Sequence, residues 1–88
     1  MTISIKFKYN DTASDQVTNA FRSAARSQGW ARTDGYKEYC KLTFNAKLRT
    51  NVYDDISSIK FNDQPDFDNF VSFFNLSGII NQLEIKRV

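Results

Sequence analysis

Ile3, Ile5, Phe7 and Tyr9 alternate with Ser4, Lys6 and Lys8, the period of a strand with one buried face. Asn10 and Asp11 end the run. Thr12 followed by Asp15 has the spacing of a capping box, and Val17, Ala20, Phe21 and Ala24 then recur at helical intervals before Gly29. This predicts a helix over about residues 13–28, stopped by the glycine. Asp34-Gly35 is a tight-turn dipeptide, so a short hairpin is expected there, with residues 30–32 as its first arm. Cys40, Leu42, Phe44, Ala46 and Leu48 alternate with Lys41, Thr43, Asn45, Lys47 and Arg49, which predicts a second long strand. Residues 50–55 read as a loop. Ile59 and Phe61 on either side of Lys60 mark a third strand, weaker in pattern. Beyond the break at Pro65, the residues Phe67, Phe70, Val71 and Phe74 stand at i, i+3, i+4 and i+7. They predict a helix over about 66–77, preceded by Asp66 and closed by Gly78. Leu83 and Ile85, alternating with Glu84 and Lys86, form a C-terminal strand.

The resulting order is β-α-β-β-α-β. Two helices with one apolar stripe each, and strands with one apolar face, imply an α+β two-layer sandwich. The expected arrangement is ferredoxin-like (a split βαβ), an antiparallel sheet with two helices on one face. No internal repeat, linker or low-complexity stretch interrupts the chain, so residues 1–88 are expected to form one small domain.

Composition mainly removes chemistry. The 88 residues include no His, one Cys and three Gly. Ser-His-Asp and Cys-His sites are thereby excluded, as are zinc sites containing His or built from four thiolates. Gly29, Gly35 and Gly78 are too scattered for a phosphate-cradling loop. No run of more than two apolar residues occurs, so neither an apolar membrane helix nor a signal-peptide core is expected, and the expected location is cytoplasmic. A lone cysteine agrees with a reducing compartment.

Charge adds more through its placement than its sum. With 12 Lys+Arg against 10 Asp+Glu the formal charge is only +2. If Ile5, Phe7, Leu42, Phe44, Ile59 and Ile85 face the helices, the pleat puts Lys6, Lys8, Lys41, Lys47, Arg49, Lys60 and Lys86 on the opposite face. Glu84 is the only acid among them. Such a face suits phosphates or an acidic protein surface, although solvated sheet faces are also commonly rich in Lys. Reading of RNA bases would need aromatics on that face, and only Tyr39 has the parity for it.

Other clusters read as structural. Arg22 and Arg26 lie near the end of the first helix, where cations complement its dipole. Asp63, Asp66 and Asp68 lack the glycine and final carboxylate of a calcium loop and fit a helix start. Cys40 has core parity and no activating base. Phe73 falls off the apolar stripe of its helix and is a candidate contact anchor. The expectation is a non-catalytic binding protein without a cofactor, docking on a protein or nucleoprotein complex. Small size and missing catalytic parts fit an inhibitor or accessory factor, such as a phage-type anti-defence protein of the anti-CRISPR kind. The alternative is RNA or DNA backbone binding by the basic face, and a third reading is an enzyme using Asp, Tyr, Lys or Arg alone. A homodimer could form through open sheets or exposed edges.

Overall fold

The computed structural model describes all residues 1–88. Along the chain lie β1 (Ile3–Lys6), α1 (Thr12–Ser27), α2 (Arg32–Phe44), β2 (Ala46–Thr50), β3 (Ile56–Phe61), α3 (Gln64–Phe73), a 3-10 turn (Ile80–Gln82) and β4 (Glu84–Arg87). The architecture is a small α+β domain with three helices and one four-stranded sheet. The strand order is β2-β3-β1-β4, with every neighbouring pair antiparallel.

The largest departure from expectation is α2. Residues 40–44 were expected in a strand and Asp34-Gly35 in a hairpin turn, whereas both lie in this helix. Cys40 and Phe44 are four apart, a spacing that places them together on a helix and also in phase on a strand. The intervening Leu42 separates the two cases: it is 65% exposed, while Tyr39, Cys40 and Phe44 are buried. Tyr39, expected on the open sheet face, therefore sits in the core. Lys41 leaves the sheet and belongs to α2. The helix stops at Asn45, whose backbone is left-handed (φ 51°) with its N–H on the Lys41 carbonyl at 3.0 Å. β2 starts at the next residue.

Helix ends are closed by local chemistry. Asp11, rather than Thr12, caps α1: its carboxylate accepts from the Ser14 N–H at 3.0 Å and the Ser14 hydroxyl at 2.8 Å. At the far end Gly29 takes φ 87° while Trp30 N–H reaches the Ala25 carbonyl at 2.9 Å, a Schellman closure. Asp63 caps α3 through the Asp66 N–H at 3.1 Å. That helix ends at Phe73, with Phe74 as its C-cap and Asn75 left-handed, well before Gly78.

Between the sheet and the helices lies one cluster of 18 buried residues. Its centre is aromatic: Phe70 meets Phe44 at 5.0 Å, Phe61 at 5.2 Å and Phe74 at 4.9 Å between ring centroids, and Phe21 meets Tyr39 at 5.4 Å. β3 carries a bulge. Arg49 pairs with Ser58 but Thr50 with Ile56, leaving Ser57 as the extra residue, its hydroxyl on the Arg49 carbonyl at 3.2 Å. The bulge turns Ile56 inward together with Ile59, which is why simple alternation underrates this strand. β1 ends at Lys6; Tyr9, expected to be in phase with the core, is 87% exposed beyond it.

Candidate functional site

Every second residue of the strands points away from the helices, and register fixes which of them are neighbours. One row across the sheet reads Lys47, Lys60, Ser4, Lys86; the next reads Arg49, Ser58, Lys6, Glu84. Lys47, Arg49, Glu84 and Lys86 are exposed, and Ser4, Lys6 and Lys60 partly so. Five of the seven expected basic residues thus share this face. Lys8 stands just past β1 and makes the molecule's single ion pair, its Nζ 3.7 Å from Glu84 Oε1. None of the five cations in the rows forms an ion pair, although Lys6 stands opposite Glu84. Lys47 stands directly opposite Lys60. Like charges in that position repel.

Lys41 reaches the same region from a different element. An open groove of about 790 Å³ runs between α2 and β2. Its cations are Lys37 and Lys41 from the helix and Lys47, Arg49 and Lys60 from the sheet, with Glu38 the one carboxylate. Lys37 was missed in the sequence because residues 36–39 were not read as helical. On a helix, Lys37 and Lys41 stand one turn apart on one face.

The remaining candidates are accounted for locally. Phe73 is 56% exposed, with its ring edge-on to Phe44 at 5.2 Å and to Phe74 at 4.8 Å. Arg22 Nη1 donates to the Asn19 side chain at 3.3 Å, and Arg26 Nε donates to the Tyr36 hydroxyl at 3.0 Å. Asp66 accepts from Asn45 Nδ2 at 3.1 Å and Asp68 from Gln64 Nε2 at 2.7 Å. No three carboxylate or thiol groups converge as metal ligands. Burial pushes the Cys40 thiol up to about 12 and, with the Cys40 charge, raises Tyr39. The Ser14 hydroxyl and N–H hold the Asp11 carboxyl below the usual carboxylate range. No helix is long and apolar enough to cross a membrane.

The fold and the site thus define a small α+β domain with a predominantly basic sheet face. The chain matches no known family model, no curated protein and no solved structure.

Proposed function

We propose that this chain is a non-catalytic binding protein that docks its basic sheet face on an acidic surface of a protein or nucleoprotein complex, as a small inhibitor or accessory factor. In this reading the fold is a ferredoxin-like sheet with α2 added between α1 and β2. The observation that carries the function is the Lys47–Lys60 pair: two lysines in register, neither with a carboxylate partner. An opposite charge at either position would be the more stable arrangement. Lys6, Arg49 and Lys86 extend the same positive field, with Glu84 the one carboxylate among them. RNA or DNA backbone is the second reading, favoured by the same row of cations. The core takes Phe61 and Tyr39 away from the face, which leaves backbone contacts and no stacking platform for bases.

Binding of poly-L-glutamate and of a 20-nucleotide RNA, each at low and high salt, separates the two. Glutamate polymer bound, with binding lost in the Lys6→Glu/Lys47→Glu/Lys60→Glu protein, supports docking on an acidic protein surface. RNA bound alone, with affinity falling steeply as salt rises, supports the second reading. Neither ligand bound at low salt overturns both.

A further inference from the structure

Resting on that reading, we propose that the free edge of β2 takes an extended acidic segment of a protein partner as a fifth strand, seated between the sheet and α2. β2 pairs only with β3 and so forms one edge of the sheet. Two hydrogen bonds fix which of its backbone groups face outward. Phe7 N–H donates to the Ser57 carbonyl at 3.0 Å, and Asn51 N–H donates to the Asp55 carbonyl at 2.9 Å. Alternation in an antiparallel ladder then turns Ile59 and Phe61 toward β1, and Ser58 and Lys60 toward β2. Lys47 and Arg49 therefore use their backbone groups inward. Ala46, Leu48 and Thr50 turn theirs to the free edge.

That edge has no steric protection, only the charges of Lys47 and Arg49. No proline lies in β2, and the bulge residue, Ser57, belongs to the inner partner strand. α2 runs beside the edge without sealing it, leaving the groove of about 790 Å³. A strand laid there would form main-chain hydrogen bonds with Ala46, Leu48 and Thr50, the source of affinity in strand addition. Its side chains would alternate between two walls, one carrying Lys47 and Arg49, the other Lys37 and Lys41. Both walls are net basic, with Glu38 the one carboxylate, so the occupant is acidic on both faces. A nucleic acid could satisfy the charges but has no peptide backbone for the edge.

The probe is fluorescein-labelled hexaglutamate, compared with the same peptide N-methylated at every residue, which keeps its charge and loses its donors. Strand addition predicts that hexaglutamate binds and the methylated peptide does not. It also predicts that amide exchange at Ala46, Leu48 and Thr50 slows by at least about tenfold in the complex, with Lys47 and Arg49 already protected in the free protein. Lys37→Glu/Lys41→Glu should weaken binding about tenfold; because exchange is measured on the unaltered protein, the test survives if this variant fails to fold. Equal binding of both peptides, or unchanged exchange at the three edge amides, overturns strand addition. If Lys6→Glu/Lys86→Glu still weakens hexaglutamate in that case, the basic-face reading stands without the edge. Absence of hexaglutamate binding at low salt refutes both.

Discussion

On the helix-covered side of the sheet, Ile3, Ile5, Leu48, Ile59 and Phe61 are buried beneath Phe21, Phe44 and Phe70. One residue along the same strands, Lys47, Arg49 and Lys86 stand in solvent, and none has a carboxylate partner. The covered face is mutually supportive throughout, with rings meeting edge to face and no buried side-chain polar atom left unbonded. The open face sets like charges opposite each other at Lys47 and Lys60. Stability is therefore carried by one side, and substitutions on the two sides should separate folding from binding. Departures from local consistency of this kind are expected where a surface serves a function.

Phe70→Ala should give the largest effect, a loss of about 3–5 kcal/mol in denaturant unfolding, because the ring is fully buried among four others. Phe73→Ala, half in solvent, should cost clearly less; equal losses would mean that the covered face extends around the helix. Cys40→Ser should destabilise by about 1–3 kcal/mol by burying a hydroxyl in an apolar site. The thiol also titrates in a definite direction. Burial raises it from 9.0 to about 12, so its contribution is complete below pH 9 and declines as pH rises toward 12. Unfolding curves across that interval should fall more steeply in the parent protein than in the serine variant, where only Tyr39, also raised by burial, still contributes.

Gly35→Ala tests whether the cover includes α2. A Cβ at Gly35 would lie 3.6 Å from Trp30 atoms, an ordinary contact, so a helix there should gain about 0.5–1 kcal/mol. A loss would restore the turn expected from Asp34-Gly35. The smallest effect belongs to the open face. Lys60→Glu places a carboxylate opposite Lys47 and should stabilise the fold by about 0.2–1 kcal/mol while weakening poly-L-glutamate binding. Stabilisation with undiminished binding would leave the lysines as a solvated surface.

Much of this contrast was legible in the sequence, and its one large error has a physical cause. β1, β4, α1 and α3 follow periods that only one structure satisfies, and Lys6, Lys47, Arg49, Lys60 and Lys86 follow from the pleat. The stretch 40–48 satisfied two periods at once. Cys40 and Phe44 fit helix or strand, Ala46 and Leu48 fit a strand, and Asn45 between them carries no apolar signal. Its left-handed backbone, which asparagine tolerates well, divides the run. Leu42, apolar yet exposed, completed a false alternation. Lys41 was consequently assigned to the right neighbourhood on the wrong element, and Lys37 was overlooked with it. The bulge at Ser57 hid the length of β3 for a related reason, since a single extra residue reverses parity.

The free edge of β2 also bears on what the protein does with copies of itself. Two molecules pairing along this strand about a two-fold axis through Leu48 would set Lys47 of one opposite Arg49 of the other, twice. Like charges would face each other at both positions, so the edge that admits an acidic strand rejects its own kind. Other sheets guard an exposed edge with a proline or a covering loop; this one is guarded by the sign of its side chains. The guard is ionic and therefore conditional. At about 1 M salt, where screening acts over roughly 3 Å, edge-to-edge self-association would lose its main opposition.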